Sequence, residues 1–379
     1  MSIAHIDATA ALARATDPGA GTGAAPNTFA YCSQQYRVVF GAGTSARLGD
    51  EVERLGIKRA LVLTTREQEH QGQRLGAYLG NRLAGLFSGV RMHTPVEVTE
   101  AALAIVEARD IDGLVAIGGG STVGLGKALS LRTGLPHLAM PTTYAGSEMT
   151  PILGETAHGI KTTRRSQDLI PDTVIYDVDL TLGLPTRISA ASGLNAIAHA
   201  VEALYAPDAN PLTSLMAEEG IAALARALPS ILAEQTDGTA RRDALYGAWL
   251  CGACLGAVGM SLHHKLCHVL GGSFDLPHAE THAIVLPYAS AYNAAAAPEA
   301  MTRVARALKV SDAAQGLYAL ARQLDLPRGL AEIGMPETGI DRAAEIAVQS
   351  PYANPRLVDR ASIRALIAAA WRGDAPILH

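Results

Sequence analysis

The chain has 379 residues, enough for two domains of ordinary size, with 49% hydrophobic and 18% charged residues, a balance that excludes a disordered protein. Its formal net charge of −5 shows no basic excess, which excludes a nucleic-acid binder and a protein held on an anionic membrane surface. The four cysteines, Cys32, Cys251, Cys254 and Cys267, include one CxxC inside an apolar helical run and no second CxxC, so they read as small buried hydrophobes of a reduced, cytoplasmic protein.

Residues 1–27 are rich in Ala, Gly and Thr and carry Asp7 and Asp17, so they read as a loose tail and not as a signal peptide. Residues 36–40 form the first expected strand and 59–63 the second, ending in Thr64 and Thr65. A helix over 67–86, a strand over 87–93 and a helix over 97–109 follow. A buried strand at 113–117 runs through Gly118, Gly119, Gly120 and Ser121 into a helix over 122–132. Strands at 137–140 and 173–177 complete this half. Strands alternating with helices predict a parallel α/β sheet, a Rossmann-like domain over 28–187. From residue 188 to 379 the pattern is all helical: 188–205, 211–227, 228–235, 240–260, 262–270, 298–308, 313–324, 340–350 and 360–371. Residues 246–262 come nearest to a membrane span but are short, glycine-rich and followed by His263, His264 and Lys265, as befits a core helix.

The glycine loop lets backbone N–H groups approach phosphate oxygens at a helix N-terminus, although it matches neither GxGxxG nor a Walker loop. Taken alone it is equally a tight turn. Pro141-Thr142-Thr143-Tyr144-Ala145-Gly146-Ser147-Glu148 offers hydroxyls for a ribose or pyrophosphate, or caps the next segment. Lys161, Arg164 and Arg165 are a solvated face, or, if turned to a cleft, a clamp for two carboxylates. Asn195 and His199 lie four apart, as do His264 and His268, and His278 follows a turn. Each pair shares one helix face, so the set has the shape of a four-ligand metal site with an amide where a carboxylate is expected.

Together the GGGS loop, Pro141-Thr-Thr with Gly146-Ser-Glu, the Asn195/His199 helix and the His264…His268…His278 segment resemble the iron-containing alcohol dehydrogenase superfamily (dehydroquinate synthase-like fold), over residue 36 to near the C-terminus. Within it the chain is most similar to the maleylacetate reductases, through Gly118–Lys127, Pro141–Pro151, Lys161-Thr-Thr and Val174–Asp177. The resemblance implies a homodimer, NADH or NADPH in a cleft between the domains, and reduction of the carbon–carbon double bond of maleylacetate to 3-oxoadipate in aromatic catabolism. Metal-dependent members carry Asp at the positions of Asn195 and Gly124; the departure at both implies no metal. The implied roles are His268 as proton donor or enolate partner with His264 and His199 in the catalytic pocket, and Asn195, His278, Lys161, Arg164 and Ser147 around a dicarboxylate substrate. Gly118, Gly119, Gly120, Ser121, Thr64, Thr65, Arg66, Thr142 and Thr143 would hold the nucleotide, with Arg66 free to meet a 2′-phosphate. The alternatives are a metal-dependent alcohol dehydrogenase that tolerates Asn195, a lyase-type relative that recycles bound NAD, and a silent nucleotide-binding protein.

Overall fold

The computed structural model describes Phe29, residues 36–157, 160–349 and 351–377, without the side chains of Ile160 and Lys161; the expected N-terminal tail lies outside the described residues. Six strands form one sheet: β1 (Arg37–Gly41), β2 (Ala60–Leu63), β3 (Leu83–Phe87), β4 (Gly113–Gly118), β5 (His137–Pro141) and, after the hairpin of β6 (Ile152–Ala157) and β7 (Ile160–Arg165), β8 (Thr173–Asp177). The order is β1-β8-β5-β4-β2-β3 and every pairing is parallel. Strands β2, β4, β5 and β8 are buried along their whole length, as continuous apolar runs in a sheet covered on both faces must be. The covering helices are α1 (Leu48–Arg54), α2 (Glu69–Gly76), α3 (Val96–Ala108) and α4 (Gly120–Thr133). From β2 the chain moves outward to β3, and from β4 it moves the other way to β5. The crevice at the carboxyl ends of β2 and β4 is therefore the switch point where such sheets bind ligands.

The second half is helical: α5 (Thr186–Ala203), α6 (Pro211–Ala233), α7 (Gly238–Ala257), α8 (Leu262–Phe274), α9 (His278–Asn293), α10 (Pro298–Leu308), α11 (Ala313–Gln323), α12 (Gly339–Val348) and α13 (Arg360–Arg372). Helix α5 is buried from Ser189 to Ala203, because Ala190, Ala191, Ala196, Ala198, Ala200 and Ala203 let α6, α7 and α9 approach from different sides. One core cluster runs through both halves, joining Val123, Tyr144, Val174 and Tyr176 to Leu194, Ile197, Leu224 and Leu245. Arg241 is fully buried and ties the halves, donating from Nη1 to Tyr144 Oη (3.2 Å) and Ser189 Oγ (2.7 Å) and from Nη2 to Leu184 O (2.7 Å).

Four expectations about elements are corrected. The helix expected over 67–86 ends at Gly76, because Gly80 (φ 55°, ψ −125°) breaks the path. The strand expected over 87–93 is instead Leu83–Phe87, paired to β2. The two helices expected over 211–235 are the single α6, which runs through Pro229. The hairpin β6/β7 and helix α9 were not expected at all; α9 contains Pro287 and is buried nearly all round, so it has no apolar stripe to read. Among the described residues no single helix is long and apolar enough to cross a membrane, and α7 and α8 meet at 94°. Cys251, Cys254 and Cys267 are buried and free, as expected of small hydrophobes.

Candidate active site

The crevice assembles the expected nucleotide residues. Gly118 has φ 157°, and a Cβ there would run into the Thr122 hydroxyl and lie 2.9 Å from Gln68 Oε1, so only glycine gives this turn. Its carbonyl accepts from Thr142 N (3.1 Å), and Gln68 Nε2 donates to Thr142 Oγ1 (3.0 Å). Gly119 lies against Thr143, and Gly120 faces Ser147 across the crevice, where an added Cβ would sit 3.8 Å from the Ser147 Cβ. Ser121 is in the first turn of the 14-residue α4, whose N-terminus favours an anion. Thr64, buried, and Thr65 leave β2 on the same side, followed by exposed Arg66. Glu67 comes next. Its own N–H and the Thr65 hydroxyl hold its carboxyl below the usual range.

The histidines lie across the domain boundary. Asn195, His199 and Glu202 share one face of α5 at spacings of four and three. Helix α8 supplies His263, His264, Cys267 and His268, and α9 supplies His278 and His282. Ring centroids are 5.1 Å apart for His199 and His264, 6.4 Å for His264 and His268, 5.0 Å for His264 and His282, and 4.1 Å for His278 and His282. Asn195, His199 and His264 are buried, whereas His268 and His278 are exposed, giving a floor and a rim. Asn195 Oδ1, His199 Nδ1 and His264 Nε2 are buried polar atoms with no hydrogen-bond partner. Such atoms are costly unless something else satisfies them.

Glu202 fixes one of these rings. It is fully buried, and its oxygens accept from Ser261 N (2.8 Å) and His263 N (2.7 Å). Burial pushes its pKa up, while His263 and the backbone donors oppose that. Those donors need an acceptor, so Glu202 is a carboxylate and His264 Nδ1, 2.7 Å from Oε2, donates to it. His263 Nε2 donates to His282 O (2.9 Å). Burial, reinforced by neighbouring imidazoles, pushes His199, His264 and His282 well below the ordinary histidine range and His263 down to about 4. The floor is therefore neutral near pH 7.

This donor set does not fit a tightly held ferrous ion, whose histidine sites take a carboxylate beside the imidazoles. Asn195 offers a neutral amide oxygen, and Glu202 is already committed to backbone donors and His264. Two buried triads bring ligand atoms within 4.8 Å of one another, Glu202–His263–His264 and His263–Cys267–His282; in the first Glu202 and His264 bond to each other, and in the second His263 Nε2 is taken by the His282 carbonyl and Cys267 Sγ while the His282 ring nitrogens have no partner.

Ser147 joins the two regions. Gly146 before it has φ 74°, and a Cβ there would lie 3.7 Å from His199 Nδ1. Of the cations, Lys161 pairs its backbone with Thr156 and its side chain lies outside the described residues. Arg164 is exposed on the hairpin opposite Leu153. Arg165 reaches toward the helical half, donating to Gly256 O (3.1 Å) one turn beyond Gly252, which packs on Gly146. Sequence reasoning missed Glu202, His263, His282 and Lys127. His282 repeats the four-residue spacing after His278, and Glu202 continues the Asn195 face, so the spacing signalled their helix face but not the groups they meet.

A sheet with its switch point beside a histidine pocket on helices defines the class. The iron-containing alcohol dehydrogenase model matches residues 35–178, and the C-terminal model of the Fe-containing alcohol dehydrogenase family matches 189–371. The chain belongs to the iron-containing alcohol dehydrogenase family. It is 57% identical over 349 residues to maleylacetate reductase of Sphingobium indicum, covering 92% of this chain and 99% of that protein. Against maleylacetate reductase of Burkholderia cepacia it is 55% identical over 350 residues (92% and 99%). The crystal structure of maleylacetate reductase from Agrobacterium tumefaciens superposes with a TM-score of 0.91 at 51% identity, covering 93% of this chain and all of that one.

Proposed function

We propose that the protein is an oxidoreductase that transfers hydride from NADH or NADPH to the carbon–carbon double bond of maleylacetate, giving 3-oxoadipate. The observation that carries this is the neutral, unsatisfied floor of Asn195, His199 and His264 beside the nucleotide crevice, in a chain 57% identical to a maleylacetate reductase.

Hydride adds to the alkene carbon beta to the ketone, and the electron pair moves onto the ketone oxygen as an enolate. The Asn195 amide N–H and the neutral His199 imidazole N–H suit that oxygen as donors, His264 having given its one N–H to Glu202, each worth about 3–4 kcal/mol in a dry site. A proton then closes the adjacent carbon. His268, exposed on the rim with its ring 6.4 Å from that of His264, serves as that proton's donor. A neutral floor supplies no charge for two carboxylates. That task falls to cations of the hairpin, Lys161 and Arg164 among them. Reduction of a polarised alkene needs hydrogen-bond donors and no metal, in keeping with the donor set.

The test is oxidation of NADH and NADPH by the purified protein with maleylacetate, with 3-oxoadipate identified as product. His268→Ala lowers kcat by about 10²-fold or more. Retention of most of kcat would remove His268 from this role.

A further inference from the structure

We infer that Lys127, which no step above uses, is a positioning residue that holds the Gly146–Ser147 turn at the junction of nucleotide crevice and histidine floor. The inference rests on the hydride-transfer reading above. Lys127 stands two turns into α4 below the glycine loop and is fully buried. Its ammonium, with three N–H donors, lies among four acceptors: Ser147 O (2.6 Å), Thr150 O (2.6 Å), Thr150 Oγ1 (3.0 Å) and Ile152 O (3.0 Å). A cage of carbonyls is a setting a buried cation requires and a neutral side chain cannot replace. Burial pushes the Lys127 amine down to about 7, and the Glu148 carboxyl beside it, buried and accepting from Tyr176 Oη (2.7 Å), works against that.

The cage spans the short helix Ser147–Met149 and the first residue of β6. Residue 146, immediately before it, is the backbone that meets both Gly252 and His199, and Ser147 itself faces Gly120. One ammonium thus links the helix under the phosphate loop to the wall between cofactor and substrate. Loss of the link lets that wall drift. Hydride transfer falls steeply with a displacement of about 1 Å, on the order of 10²-fold, while the binding groups stay in place.

The test compares Lys127→Met and Thr150→Val with the unmodified enzyme, using reduced nicotinamide carrying deuterium at the transferred position. Lys127→Met lowers kcat by about 10²-fold with KM for both substrates kept within about threefold, and the deuterium effect on kcat is fully expressed. Thr150→Val, which removes one acceptor and keeps the carbonyls, lowers kcat by about threefold in the same manner. A variant that melts earlier with kcat and isotope effect unchanged overturns the inference, since a merely structural lysine would do that. Where Lys127→Met yields no folded protein, Thr150→Val decides on the same two readings. Should the unmodified protein not turn over maleylacetate, the functional reading fails. Amide exchange in Thr150→Val then judges the anchor alone: faster exchange over 146–152 and not in α5 supports it, and unchanged exchange overturns it.

Discussion

Gly146 and Gly252 pack backbone on backbone across the domain boundary: a Cβ on either would lie 2.9 Å from the Cα of the other. Neither neighbour is a flexible side chain that can swing aside, so any added atom pushes the Gly146 turn away from α7. A Cβ on Gly146 would also lie 3.7 Å from His199 Nδ1, so this backbone contact sets the separation of the two halves beside the histidine floor.

Gly252→Ala therefore lowers kcat/KM for the proposed reaction by about 10²-fold, while its effect on melting is small. Overpacking costs about 1–3 kcal/mol, and alanine in a helix interior returns about 1 kcal/mol of it. A melting scan beside steady-state kinetics separates the two effects. Unchanged kinetics would mean that the turn moves freely. Gly146→Ala is worse, because its φ of 74° also strains any side chain.

Buried imidazoles make the fold acid-sensitive in a defined window. His137 is pushed down to about 3 and His263 to about 4, chiefly by burial, from an ordinary 6.5. Between the two limits the unfolded chain binds a proton that the folded one refuses. Stability is thus complete above about pH 6.5 and is lost as pH falls toward 4, at about 1.4 kcal/mol per pH unit for each histidine. His137 and His263 together remove about 4 kcal/mol by about pH 5, and His199, His264 and His282 add losses of the same sign. Urea unfolding at several pH values reads the slope. His137→Leu, at a ring with no hydrogen bond at either nitrogen, flattens it by one proton without touching the pocket. A slope equal to that of the unmodified protein would contradict this account.

The sheet was legible because β4, β5 and β8 are short continuous apolar runs bounded by Gly, Pro and Asp, and the glycine loop marked the carboxyl end of β4 at the switch point. The register of Asn195 with His199 and of His264 with His268 foretold shared faces because helical spacing alone fixes them. Glu202, His263 and Lys127 stayed hidden for a different reason. Their roles depend on which distant backbone groups they meet, such as Ser261 N for Glu202 and Ser147 O for Lys127, and no local pattern encodes that. Helix α9 hid His282 because burial on every side erases periodicity.

Two side chains of opposite charge leave β2 at the place where adenosine riboses are read: exposed Arg66, and Glu67 with the Thr65 hydroxyl on its carboxylate. The guanidinium suits a 2′-phosphate and the carboxylate a 2′-hydroxyl. Arg66→Ala raises KM for NADPH about tenfold, the worth of one charge-assisted contact, and leaves KM for NADH within about twofold. Glu67→Gln shifts preference the other way. Parallel saturation curves with both nucleotides measure this, and equal changes for both would take Arg66 out of cofactor selection.

Asn195 is where the pocket's chemistry turns. Its Oδ1 is buried and unpartnered on the α5 face it shares with His199, whose ring packs on that of His264. Asn195→Asp places an anionic oxygen there with almost no change of volume, which supplies the ligand a divalent ion lacks. The variant gains affinity for zinc or ferrous iron by about 10²-fold or more, read by titration and by metal content after dialysis. The same charge repels a dicarboxylate and the developing enolate, so reductase activity falls even without metal. The unmodified protein, dialysed against a chelator, keeps its rate within about twofold, because imidazole and amide donors suffice for an enolate. Loss of that rate on chelation and its return with iron would show that the floor holds an ion in spite of its neutral donors.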